Sequence, residues 1–383
     1  MAKPAATPTI ASPGPLGTER NGAGLLSRLR RRFFATPLSS VMTLGGVALI
    51  LWFAPALLRF LVLDAVWSAP DGAPCRAPGA GACWAFIAHK LPYFAYGSYP
   101  VDQRWRVDLV VILALVLVGW LLWLDAPLRR AAALFSFVIY PVLAFFLLYG
   151  LPAIGLVRVP TDLWGGIFVS LLVAGVGMVV SLPLGILLAL GRRSDLPALR
   201  LVATGFIEFI RGVPIITVLF MANRMLPLFV PEAWTPDLLL RPLIGVALFA
   251  SAYMAEVIRG GLQAMPAGQY EAARALGLRY WQMQRLVILP QALRLVIPGI
   301  VNTFIALFKD TTLVATVGIF DFLRTVETAR LDPKWAGPTI TPTGYIFAAI
   351  FYFIFCFGMS RYSLFVERRL PATGTNITRG EPA

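Results

Sequence analysis

Only 14% of the 383 residues are charged and 58% are hydrophobic, far from the roughly one-quarter charged content of a water-soluble domain, so no soluble domain of useful size fits. The formal charge of +14 is spread over the ends of apolar runs instead of forming a basic patch interleaved with aromatics, which argues against nucleic acid as a partner. Three cysteines and one histidine supply no CxxC pair, HExxH helix or His-based triad, so no metal site and no catalytic residue is expected. There is no GxxxxGK[ST] loop, and any ATP that is used must be bound by another chain.

Residues 1–40 are rich in Pro and Ala and end in Arg28, Arg30, Arg31 and Arg32, a basic tail that resists translocation and stays in the cytoplasm. The apolar run from Val41 to Leu63 that follows is too long for a signal-peptide core and reads as an uncleaved first span, with Arg59 snorkelling toward an interface. Residues 64–106 form an outside loop rich in Pro, Gly and aromatics. Cys75 and Cys83 within it are either joined in the oxidising compartment or are two free buried thiols, and His89 reads as an interfacial residue. Cys356 lies in the last span and reads as packing.

Further apolar runs lie at Val107–Leu124, Ala131–Gly150, Trp164–Leu190, Phe206–Phe229, Leu243–Ile258, Leu295–Phe308 and Gly344–Val366, each near the length that crosses a hydrocarbon core of about 30 Å as helix. The predicted fold is an all-α polytopic membrane protein of about eight transmembrane helices. Counting from a cytoplasmic start places Arg129, Arg130, Arg192, Arg193, Arg368, Arg369 and the tail at 371–383 inside, in step with the positive-inside rule, although Arg76, Lys90, Arg104, Arg106, Arg158, Arg324, Arg330 and Lys334 fall outside.

Between the sixth and seventh runs, residues 259–290 are too long for a turn. Pro266 suits a first helical turn, Ala272 to Leu276 favour helix, and Gly277 permits a sharp break. Leu276, Tyr280, Met283 and Val287 then recur at three- and four-residue spacing, so the second helix is expected to carry one apolar side. Such a segment either lies on lipid or sits in a groove on a soluble partner. Glu271 would cap local backbone donors or meet a cation on that partner.

Glu271-Ala272-Ala273, three residues, Gly277, nine residues, Val287, one residue and Leu289-Pro290 resemble the EAA loop of binding-protein-dependent ABC importer permeases, with Val where Ile is usual. Phe206 to Pro214, Glu256 to Gly261 and Leu307 to Val314 resemble the polar amino-acid (histidine/glutamine) subfamily, and the longer N-terminal part is similar to the larger, M-type subunit of general L-amino-acid (Aap/Bzt-type) permeases. The resemblance covers about 163–370. It implies a type I importer core of five helices at 161–370, preceded by a three-span extension at 41–160, in a bacterial inner membrane with both termini cytoplasmic. It also implies coupling to a separate ATPase through Glu271, Ala272, Ala273, Arg274, Gly277, Leu289 and Pro290. Further implied are an ABC ATPase dimer that binds ATP and Mg, a second permease that is a homologous different chain, and a periplasmic amino-acid-binding protein. Beyond membrane lipid, no cofactor is expected in this chain.

Several charges remain as candidates for a gate or a substrate path. Glu208 and Arg211 at i, i+3 spacing are either a structural pair or a contact for a zwitterion. Glu256 and Arg259, spaced alike, read as a brace leading into the loop or as plain interfacial charges. Asn302, Lys309 and Asp310 fall on or just after the seventh run, where Lys can bind a carboxylate and Asp an amino group. Competing function classes are an ion-gradient-driven secondary amino-acid transporter, for which no internal repeat is visible, and a membrane enzyme or scaffold.

Overall fold

The computed structural model describes residues 29–369 apart from 31, 124, 232 and 233. Arg28, Arg31 and the C-terminal tail at 371–383 therefore lie outside the described residues. The chain divides into two units, Met1–Ala65 and Val66–Ala383.

The described part of the first unit is dominated by α1, Pro37–Leu63. Thr36 caps its start: the Ser39 amide donates to the Thr36 hydroxyl at 3.1 Å and the Thr36 amide to the Ser39 hydroxyl at 2.9 Å, two otherwise orphaned donors satisfied reciprocally. Arg59, expected to snorkel, is turned back at the helix end onto Asp64 at 3.3 Å.

In the second unit the helices follow in chain order as α2 (Trp84–Tyr96), α3 (Val101–Leu122), α4 (Arg129–Tyr149) and α5 (Gly166–Arg192). A broken pair, α6 (Pro197–Gly212) and α7 (Ile215–Phe229), leads to α8 (Leu240–Gln263). The loop helices α9 (Ala267–Ala275) and α10 (residues 280–295) come next. The chain continues as α11 (Ile297–Val317), α12 (Phe322–Ala329) and α13 (Ile340–Arg369). Helices α5 and α8 pack along their length, with Ala250, Ser251, Ala252, Met254, Ala255 and Ile258 buried against them or their neighbours. At about 1.5 Å per residue α5 reaches from one end of the unit, where its start meets Gly97 and Phe320, to the other, where Arg192 meets Glu208 and Glu256.

Among the described residues seven helices are long and apolar enough to cross a membrane, with one bent pair besides. The expected single span at Phe206–Phe229 is corrected here: α6 and α7 meet at 107°. Pro214 has no amide hydrogen to continue the ladder, and Val213 before it is forced into extended backbone at φ −105° and ψ 135°. Ala203, Ile207 and Ile210 form the buried stripe of α6, at the spacing of one helix face. The seventh run is also longer than expected, because a 3-10 turn at Thr311–Val317 extends it. Lys309 and Asp310 consequently sit within its length.

One end of this unit is covered by a cap built from residues 66–99. Cys75 and Cys83 are disulfide-bonded with Cα atoms 5.7 Å apart, and α2 follows directly. Phe86 and Phe94 on α2 are fully buried together with Phe322 and Trp335 from the segment between α11 and α13. Polar contacts run the same way. The Gly72 amide donates to the Lys334 carbonyl at 3.1 Å, Arg76 to the Ala336 carbonyl at 2.9 Å, and the Thr339 hydroxyl to the Cys75 carbonyl at 3.0 Å. The Cys83 amide donates to the Thr343 hydroxyl at 2.9 Å, and the Lys90 ammonium, hydrogen-bonded to Asp332, holds that carboxyl below the usual carboxylate range. At the start of α5 the backbones touch: a Cβ placed on Gly97, which has φ +61°, would lie 2.4 Å from the Gly165 Cα. Only glycine allows that approach.

Candidate functional site: the loop and its charge hub

The loop from Arg259 to Pro290 folds as a helix, a reversal and a second helix. Pro266 precedes the first turn of α9 with φ −58°. At the other end Gly277 takes φ +71°, the Gly277 amide donates to the Arg274 carbonyl at 2.9 Å and the Leu278 amide to the Ala273 carbonyl at 3.2 Å. These two bonds close the helix through a left-handed residue, a job for glycine. Ala273 is buried and pins α9 to the cluster of Met254, Ile258, Leu262, Met283 and Ile288. Glu271, Ala272 and Arg274 stay exposed.

Glu271 lies mid-helix and not at its start, so it does not cap backbone donors. The expected apolar side of the second helix is also interrupted. Met283 is buried and Val287 half-buried, but Leu276 sits in the reversal, 78% exposed. Pro290 has no amide hydrogen, and the helix widens to a π turn over Gln284–Ile288 just before it, with Leu289 half-buried beside it. Arg193, Asp195, Tyr270, Glu271, Arg274 and Gln284 line a groove of about 350 Å³ along α9.

Directly behind the loop, five charges from three helix ends converge. Glu256 is the hub: Oε1 accepts from Arg192 at 2.9 Å and from Arg259 at 3.0 Å, while Oε2 accepts from Arg259 at 2.9 Å and lies 3.4 Å from Arg211. Arg192 also donates to Glu208 at 3.0 Å. The Glu256–Arg259 pair thus forms within α8, as the spacing allows. Glu208 and Arg211 do not pair with each other: Glu208 turns to α5 and Arg211 to α8. Arg192, read from sequence only as an orienting charge, is the bridge between the two carboxylates, and it reaches them because the end of α5 lies beside Glu256, before α8 runs on to Gln263. Asn302, exposed on α11, Lys309 and Asp310 make no ion pair with this hub among the described residues.

At the opposite end Asp321, which no sequence signal singles out, caps α12. Its carboxylate accepts from the Leu323 amide at 3.0 Å and the Arg324 amide at 3.1 Å. Burial pushes it up to about 7, helped by the like charge of Glu327 and opposed by the two amides. A carboxyl whose folded pKa lies above its unfolded value contributes stability that is fully present below pH about 4 and is lost as pH rises toward 7, at about 1.4 kcal/mol per unit. The apparent melting temperature in detergent should therefore fall between pH 5 and pH 7.5. The Asp321→Asn variant, still able to cap, should lose that part of the slope; a slope identical in both proteins would remove the assignment.

The model of the family described as Binding-protein-dependent transport system inner membrane component matches residues 181–371. Over 95% of its length the chain is 48% identical to the inner membrane amino-acid ABC transporter permease protein YhdY of Escherichia coli (strain K12), covering 98% of that protein. It is 41% identical, over 91% of its length, to the glutamate/glutamine/aspartate/asparagine transport system permease protein BztC of Rhodobacter capsulatus, covering 94% of it. The L-cystine transport system permease protein TcyB of Bacillus subtilis (strain 168) matches at 33% identity and is covered for 97% of its length, yet accounts for only 58% of this chain. A helical chain with this loop, this series of spans and these relatives belongs to the family of inner-membrane components of binding-protein-dependent transport systems.

Proposed function

We infer that the chain is the permease subunit of an ATP-binding-cassette importer that carries L-amino acids across the inner membrane. The observation that carries this is the packing of the exposed α9 through Ala273 onto Met254, Ile258 and Leu262 of α8, the helix whose Glu256 is bonded to Arg192 of α5 and paired with Arg211 of α6, so that a push on the loop passes through α8 to its two neighbours. The names of YhdY and BztC support amino acids as the cargo.

In this reading the loop end faces the cytoplasm together with both termini, and the capped end faces the periplasm. Glu271, Ala272, Ala273, Arg274, Gly277, Leu289 and Pro290 form or shape the surface that seats in an ATPase dimer. ATP and Mg are held by that dimer, and this chain has no ATPase site of its own. A homologous different permease completes the membrane pathway, and a periplasmic amino-acid-binding protein delivers the substrate. Asn302, Lys309 and Asp310, on α11, supply polar groups to the path. Closure of the ATPase dimer shifts the population between inward- and outward-open bundles, the hub transmitting the displacement.

Membrane vesicles containing the permeases, ATPase and binding protein should take up amino acid only with ATP, and an ionophore should leave uptake unchanged. Uptake by the purified chain alone, abolished by the ionophore, would overturn the reading in favour of a gradient-driven carrier.

A further inference from the structure

The cap at residues 66–99 is not an independent appendage. Its contacts fall on three separate pieces of the segment that the family model covers or adjoins: the start of α5, the segment carrying α12, and the start of α13. Gly97 lies against Gly165, and Gly165 and Gly166 bridge to Phe320 and Asp321. The Phe322 amide donates to the Ser170 hydroxyl of α5 at 2.9 Å, and Trp335 is fully buried against Phe86. Cys83 reaches Thr343 on the first turn of α13. Apolar burial therefore coincides with hydrogen bonds on the segment carrying α12 and on the start of α13, and with close backbone approach at the start of α5, on a surface closed by the Cys75–Cys83 bond.

Packed interfaces of this kind are bistable or fixed; they do not deform continuously. The contacts to the cap include no glycine hinge between Trp335 and Thr343 that leaves the cap free: Gly337 itself packs against the Arg76 side chain, a Cβ there lying 3.1 Å from the Arg76 Cγ. By contrast the bend between α6 and α7 lies outside the cap's contacts, as does the hub.

We propose that the cap is a clamp that keeps the outer ends of α5, α12 and α13 together as one block through the whole transport cycle, so that access alternates by movement at the hub ends of α5, α6 and α8 without parting these three outer ends. This assigns a function to a segment that precedes residues 181–371, the part matched by the family model. The proposal rests on the importer reading.

The test is a cross-link that a fixed clamp tolerates. In the full transporter, with Cys356→Ser in the background, Lys90→Cys and Asp332→Cys are joined by a short bis-maleimide, and the same protein treated with a mono-maleimide is the control. Uptake driven by ATP and binding protein should stay within about twofold of the control. A drop of tenfold or more on cross-linking alone means that cap and segment separate during the cycle, which sinks the clamp. Absence of uptake in the unmodified complex would instead reject the importer reading. As a second measurement, Arg76→Ala with Lys90→Ala should raise amide hydrogen exchange across residues 318–340 severalfold; exchange unchanged from the parent would equally overturn the proposal.

Discussion

Replacing Glu256 with glutamine should lower ATP-driven uptake by tenfold or more while the complex still assembles. The substitution keeps the shape of the side chain and removes one negative charge from a group of three arginines and two glutamates, raising the net charge of the hub from +1 to +2. Three guanidinium groups then face one another with a single carboxylate left, and that one, Glu208, is 61% exposed. Charge-assisted hydrogen bonds contribute about 1.5–3 kcal/mol each when shielded, and partial exposure of the arginines reduces this. A loss of about 2 kcal/mol in apparent stability is the expected scale.

The effect on transport should exceed the effect on stability if, as proposed above, displacement of the loop passes through α8 and its Glu256 pairs to α5 and α6. Adding Arg211→Gln to Glu256→Gln relieves the repulsion and should recover part of the melting temperature without recovering uptake. Glu208→Gln, at the exposed margin, should change stability by less than about 1 kcal/mol. Equal uptake in Glu256→Gln and the parent would show that the hub is only a structural anchor.

The second large effect is expected at Gly277. A Cβ there meets nothing within 4 Å, so the chain itself has room, and the cost of a substitution within this chain comes from φ +71°. Asp and Asn tolerate that backbone region better than other residues, whereas valine is held out of it. Gly277→Asn should then fold and melt within about 1 kcal/mol of the parent, and Gly277→Asp should fold comparably well. If the reversal is seated in an ATPase, Gly277→Asp should still lose binding-protein-stimulated ATP hydrolysis by tenfold or more, because charge and bulk enter the shared surface. Normal stimulation with Gly277→Asp would place the docking surface elsewhere.

The loop was the most legible part of the chain because its information is local: Glu271 to Gly277 and Leu289-Pro290 carry their own helix stop and their own widening turn. The spans were legible for the same reason, each apolar run being its own signal. The break at Val213-Pro214 was not read, since hydropathy continues through it and only the missing amide hydrogen marks the turn. The hub was half visible. Spacing puts Glu256 and Arg259 on one helix face, but which of Glu208 and Arg211 faces which neighbour depends on how α5, α6 and α8 are rotated, and Arg192 enters only because the end of α5 packs beside Glu256. Asp321 left no trace in the sequence, because its burial comes from Ser170, Phe322 and α13 meeting across long stretches of chain.

The cap also sets an order on how the protein can be made. Its hydrogen-bonding partners on the far segment lie 242 to 264 residues further along the chain, and at a synthesis rate of about 5–20 residues per second they emerge about 12–53 s after it. Phe86 and Phe94 must spend that interval without Trp335 and Phe322 to cover them, at the surface of a half-made membrane protein. The bond between Cys75 and Cys83 closes a loop only 8 residues apart and needs none of the later chain. Nascent chains stopped before residue 320 are therefore the species in which, with the cap on the periplasmic side as proposed, a chaperone or protease of that compartment would find it uncovered.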